Sequence, residues 1–229
     1  MSLTRNEKTL EILFNSFFLN SFRLGQIIAC SPSTRAEAER GYDSMFKSDF
    51  SELYIQFKLT SFKKKKNLYK VHINREQLHT LKKRYQNEAE AFYVFDYFRS
   101  LDELIELQRS IKSSKQFLKR YLSVDVHSIP ATAQYLVFKH PRNENTLPDI
   151  EIETINGTTE KIGKGSYRVR RCSTLVDRYK RGEIGRLVKS GGHASSIDSD
   201  VSSYDKNTLF EPVSDNNNTA QGTLFAYFN

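Results

Sequence analysis

The sequence predicts an α/β fold, a mixed central sheet flanked by helices, and three stretches carry the prediction. Residues 6–20 put Leu10, Leu13, Phe14, Phe17 and Phe18 on one face at spacings of three and four, the period of a packed helix. Residues 53–59 alternate instead, with Ile55 and Phe57 toward a core and Gln56 and Lys58 on the opposite side, the period of a strand. Residues 92–98, F-Y-V-F-D-Y-F, form a β-branched and aromatic run that reads as a buried strand between helical patterns at 75–86 and 101–111. At 229 residues and 26.6 kDa the chain has room for one domain of about 150–190 residues and a tail. An apolar fraction of 38%, with 16 Phe, is enough for the core of such a domain.

The first helix reads as packed rather than functional. After I-I-A-C, the S-P-S-T-R segment starts a short helix with Ser31 or Ser33 as N-cap, and that helix delivers Glu37 and Glu39. Gly41 turns the chain into a strand carrying Asp43, and a second strand runs from Leu53 to Leu59. A carboxylate, an amide oxygen and an ammonium are thereby expected to meet on one sheet edge. A third strand is read near Tyr69–Ile73, and the helix at 75–86 turns Leu78, Leu81 and Tyr85 inward. The helix at 101–111 is expected to continue, interrupted, to Leu122, and Tyr135–Phe138 to form a last strand.

Pro, Asn and Gly become frequent from about residue 141, and the block 161–189 holds ten Lys or Arg against Asp177 and Glu183, with a short helix around 175–180. Residues 190–220 are mostly Ser, Asp, Asn and Gly, too poor in apolar side chains to offset the entropy of ordering. The expected division is a domain at 1–145, a basic extension at 146–189, a disordered linker at 190–220 and an aromatic recognition peptide at 221–229.

Lys and Arg outnumber Asp and Glu by 35 to 27, and a net charge of +8 with a pI near 9.3 favours an anionic partner such as nucleic acid. Cys30 and Cys172 have neither disulfide-framework nor zinc spacing and fit a reducing compartment. No apolar run approaches the ~18 residues of a membrane span, and M-S-L-T-R-N-E-K lacks the build of a signal peptide. The expectation is an intracellular protein, in cytoplasm or nucleoid, or in the nucleus of a eukaryote, with no membrane partner. The histidines, His72, His79, His127, His140 and His193, show no paired metal spacing, and G-K-G-S at 163–166 lacks P-loop spacing.

The pattern E-x-x-x-G-Y-D, a short hairpin and then I-Q-F-K, with Q-L-H-x-L at Gln77–Leu81, resembles the PD-(D/E)XK, or restriction-endonuclease-like, nuclease superfamily in a Q-x-K variant. The resemblance covers about residues 30–140. It implies Glu37 as the helix carboxylate, Asp43 as the main metal ligand, Gln56 as a third ligand through its amide oxygen, and Lys58 beside the attacking water. The implied cofactor is Mg²⁺ or Mn²⁺, which prefers hard oxygen ligands and lowers the pKa of a bound water. Gln56 departs from the usual acid of that superfamily and removes one negative charge; Glu39 and Glu52 are the nearby substitutes. Lys63, Lys64, Lys65 and Lys66 would flank the site and neutralise phosphates, or form a solvated hairpin tip that protects an edge strand. Arg168, Arg170 and Arg171, interleaved with Tyr167 and Tyr179, form a second candidate nucleic-acid patch; a nuclear import signal is the weaker alternative.

Gln221, Leu224, Tyr227 and Phe228 are similar to the PIP box that docks on the archaeal and eukaryotic sliding clamp, and Gln221, Leu224 and Phe225 also fit the bacterial Q-x-x-L-F clamp motif. The combined expectation is a metal-dependent DNA endonuclease in repair, restriction or antiviral defence, tethered to a sliding clamp. The alternatives are a noncatalytic DNA- or partner-binding protein on an inactive nuclease fold, and an RNA-binding or RNA-cleaving protein.

Overall fold

The structure, a computed structural model, describes residues 6–23, 25–141, 146–162 and 168–188. The linker read at 190–220 and the clamp-motif residues Gln221, Leu224, Phe225, Tyr227 and Phe228 lie outside the described residues. In chain order the elements are α1 (Glu7–Leu19), β1 (Ile28–Cys30), α2 (Thr34–Arg40), β2 (Ser44–Lys47), β3 (Ser51–Lys58), β4 (Thr60–Lys63), a 3-10 turn (Lys64–Lys66), β5 (Leu68–His72), α3 (Arg75–Arg84) and β6 (Ala91–Asp96). Then follow α4 (Leu101–Ser110), α5 (Ser114–Leu118), β7 (Tyr121–Asp125), a 3-10 turn (Val126–Ser128), β8 (Ala133–Lys139), β9 (Ile150–Thr154), β10 (Thr159–Lys161), β11 (Val169–Arg171), α6 (Cys172–Lys180) and β12 (Arg186–Leu187).

These elements build two sheets. The first has the order β1-β2-β3-β6-β7-β11, with β12 beside β3, and is mixed because β6 runs parallel to β3 while the other pairings are antiparallel. The second, β10-β9-β8-β5-β4, is antiparallel throughout. One face of the first sheet meets helices: Phe14 and Phe18 of α1, Leu104 of α4, Phe117 of α5 and Leu175 of α6 pack on Ile55, Phe57, Phe92 and Val94. The other face meets α3 and the second sheet, where Leu78, Leu81, Tyr69 and Phe138 pack against Tyr93, Phe95 and Val124. β6 is buried along its whole length because both faces are covered, which is why its sequence is apolar without alternation.

Several expectations change. β3 is not at a sheet edge but lies between β2 and β6. The helix expected to run on to Leu122 ends at Leu118, and β7 begins at Tyr121. Nor does the fold break at residue 145: β9 joins the second sheet through β8, β11 pairs with β7, and Cys172, Leu175, Val176 and Tyr179 of α6 are core residues. The Tyr179 hydroxyl bonds the Phe46 and Ser51 carbonyls at 3.0 and 2.6 Å, so α6 holds the β2–β3 hairpin from behind. No helix among the described residues is long and apolar enough to cross a membrane.

Candidate functional site

Glu37 and Asp43 are brought together by a capped helix and a left-handed turn. The Ser33 side chain accepts the Ala36 N–H at 3.3 Å and starts α2. At the other end Gly41 adopts φ +79°, and its N–H bonds the Glu37 carbonyl at 2.7 Å. A Cβ at that position would stand 3.2 Å from Leu81 Cγ, so both the backbone conformation and the close approach of α3 call for glycine.

Asp43, 7% exposed, precedes β2, and its Oδ2 accepts two hydrogen bonds of 2.6 Å, from the Phe57 N–H and from Gln56 Nε2. Gln56 is 1% exposed. Its Nε2 also donates to the Phe57 carbonyl at 3.1 Å, while its Oε1 accepts from Gln77 Nε2 at 2.7 Å. The contact with the Phe57 carbonyl fixes which end of the amide faces Asp43, because a carbonyl can only accept. The expectation that Gln56 presents its oxygen to the site is therefore corrected: the nitrogen faces Asp43 and the oxygen faces α3. Gln77, which meets the Gln56 oxygen, lies within the family-like pattern but was given no role by the sequence reading.

Lys58 lies at the end of β3 and faces Glu7 Oε1 at 3.7 Å, and Glu7 Oε2 accepts the Leu59 N–H at 3.3 Å. Glu7 is a site residue that sequence reasoning missed. An acid in the first turn of a helix is favoured by the helix dipole alone, so nothing local marked it, and α1 proves to be more than packing. Glu39 and Glu52 do not belong to the site: Glu39 pairs with Arg35 at 3.3 Å on the exposed side of α2, and Glu52 bonds Lys47 at 3.0 Å and the Tyr54 hydroxyl at 2.7 Å near β12.

Burial, followed by the charges of Glu37 and Glu7, pushes the Asp43 pKa up to about 8; the Phe57 N–H and the Lys58 ammonium act in the opposite direction. A buried carboxylate beside two others and one ammonium is a place where a divalent cation offsets charge. Among the described residues, no three His, Cys, Asp or Glu side chains group as a metal cage. The donors that fit a hard cation are the carboxylates of Asp43 and Glu37, with Glu7 at the rim and the Gln56 oxygen if that amide turns over.

The basic residues divide. Lys63, Lys64, Lys65 and Lys66 are all exposed at the tip joining β4 to β5, on an edge strand of the second sheet. Arg168 is exposed and Arg170 half-buried. Arg171 is 7% exposed and donates to the Tyr97 hydroxyl and to the carbonyls of Lys119 and Thr146, the last two at 2.7 Å, so it is a structural tie rather than a surface contact.

Comparisons of the chain with protein-family models, curated proteins and solved structures return no match. The functional reading rests on the residues themselves.

Proposed function

We propose that the chain is a divalent-cation-dependent phosphodiesterase acting on DNA, with Asp43 at its centre and Glu37, Glu7 and Lys58 around it. The observation that carries this reading is a buried Asp43, bonded to Gln56 and Phe57 and influenced by the charges of Glu37 and Glu7, with Lys58 facing Glu7 at the end of the same central strand pair. A mixed sheet flanked by helices, with the Asp43 and Gln56–Lys58 segments on adjacent strands, supports the restriction-endonuclease-like arrangement. A bound Mg²⁺ or Mn²⁺ supplies Lewis acidity for a water and for the phosphate. Asp43 and Glu37 would hold it, Lys58 offsets charge developing on the phosphate, and Glu7 keeps Lys58 directed at the site. The exposed lysines at the β4–β5 tip, three to six residues beyond Thr60 in sequence, supply backbone contacts. The last residues of the chain add a tether to a sliding clamp, which would raise local concentration on DNA.

One observation favours a second reading. The Gln56 amide nitrogen occupies Asp43 Oδ2, and a site kept in that state would bind nucleic acid without cutting it. The experiment is cleavage of duplex, flapped, mismatched and single-stranded DNA, and of RNA, with Mg²⁺ or Mn²⁺, comparing wild type with Asp43→Ala and Lys58→Ala at matched folding. Cutting by wild type that both variants lose supports the enzyme. Salt-dependent binding without cutting selects the second reading, and preference for RNA in the same panel redirects the substrate.

A further inference from the structure

Tyr93 stands beside Gln56 in the parallel register of β3 and β6, so both side chains leave the sheet on the same face. It is fully buried, at 0% exposed, and its hydroxyl has no hydrogen-bond partner among the described residues. Buried tyrosine hydroxyls normally find a partner, and one left without is destabilising, a cost that a phenylalanine in the same space would avoid. A second unpartnered buried atom, Gln77 Oε1, belongs to the amide that bonds Gln56. Asp43 Oδ1 receives no hydrogen bond from the described residues, because both bonds to that carboxylate go to Oδ2. Tyr93 is thus a buried donor without a partner, directly across from the amide that holds Asp43.

Burial, and then the charges of Asp43 and Glu7, hold the Tyr93 hydroxyl in its neutral form. It is therefore a donor, and the nearby groups it feels are anions. A buried donor that feels the charges of Asp43 and Glu7 yet bonds neither suits an oxygen-bearing guest.

We propose that Tyr93 is a positioning residue of this site: its hydroxyl donates to a water held against Asp43 and Glu7, and so tightens the grip of the cluster on a hydrated divalent cation. The inference rests on the cation-dependent reading above. Its chemistry is a hydrogen bond only; no proton leaves Tyr93. Tyr93 would touch neither phosphate nor cation directly, which separates it from Asp43 and Glu37.

The test is Tyr93→Phe, which keeps the ring and removes only the unpartnered oxygen. Cation-free wild type and variant are compared by denaturant unfolding. Mn²⁺ affinity is measured by calorimetry, and the ultraviolet tyrosine difference spectrum is recorded on adding Mg²⁺. The expected result is a variant at least as stable as wild type without cation, about tenfold weaker in Mn²⁺ affinity, and lacking the Mg²⁺-induced tyrosine band that wild type shows. Equal Mn²⁺ affinity in the two proteins overturns the inference while leaving the cation reading intact. Weaker affinity with the tyrosine band retained also overturns it, because the effect then belongs to repacking. Failure of wild type to bind Mn²⁺ overturns the cation reading, and this inference with it.

Discussion

Burial first, and then the charges of Glu37 and Glu7, raise the Asp43 pKa against the Phe57 N–H and the Lys58 ammonium. That pKa moves from 3.8 to about 8, so the stability that the neutral carboxyl lends is fully present below about pH 4 and is lost as pH rises through about 8. Cation-free protein in a chelator should therefore unfold at progressively lower denaturant across that window, and Asp43→Asn should flatten the profile; a wild-type profile that rises over the same range would refute the assignment. Cation binding should in turn release a proton below pH 8, seen as a buffer-dependent heat. Gln56→Glu is expected to destabilise cation-free protein at neutral pH by roughly 1–3 kcal/mol, because it removes the donor to Asp43 and adds a carboxyl beside it. The same change should raise Mn²⁺ affinity, and calorimetry reads both signs. At this scale the sequence was half legible. Alternation in 55–58 marked Gln56 and Lys58, but Gln77 reaches Gln56 across 21 residues and Glu7 reaches Leu59 across 52, and only the folded chain joins them.

At the scale of elements, the site depends on how α2 ends. Gly41→Ala would force an L side chain into φ +79° and toward Leu81, at a cost of about 1–2 kcal/mol. Ser33→Ala removes the cap at the other end for about 1 kcal/mol. Both should weaken Mn²⁺ binding beyond their effect on the unfolding midpoint, since Glu37 moves relative to Asp43. The β4–β5 tip behaves differently. Replacing Lys63, Lys64, Lys65 and Lys66 by Gln should leave stability within about 0.5 kcal/mol. The salt slope of DNA binding should fall by about 0.9 for each phosphate contact removed, and an unchanged slope would exclude the tip from the interface. Arg171→Ala should show the reverse, costing about 1–3 kcal/mol because the carbonyls of Lys119 and Thr146 lose their donor. Composition placed Arg171 with its basic neighbours; only burial separates a tie from a contact.

For the whole molecule, the first sheet is closed by late-arriving segments: β11 beside β7, β12 beside β3, and α6 over the helical core. A chain ending at residue 145 is expected to lack the cooperative unfolding of the full chain, as denaturant curves of both would show. Two of the segments that sequence reading missed are short and exposed, whereas β7, five buried residues, begins inside the expected helix and β9, which alternates, lies beyond the expected last strand. β12 has two residues and β10 three exposed ones, so neither carries a period to read. Long elements such as α1, β3 and β6 bury enough side chains to write their pattern into the sequence. Val188 bonds the Phe50 carbonyl at 2.9 Å, just before β3 begins, whereas Lys58 and Glu7 meet where β3 ends. Seven residue steps of strand, roughly 23 Å, separate the two. The described chain thus ends beside one end of β3, and the acidic cluster lies at the other.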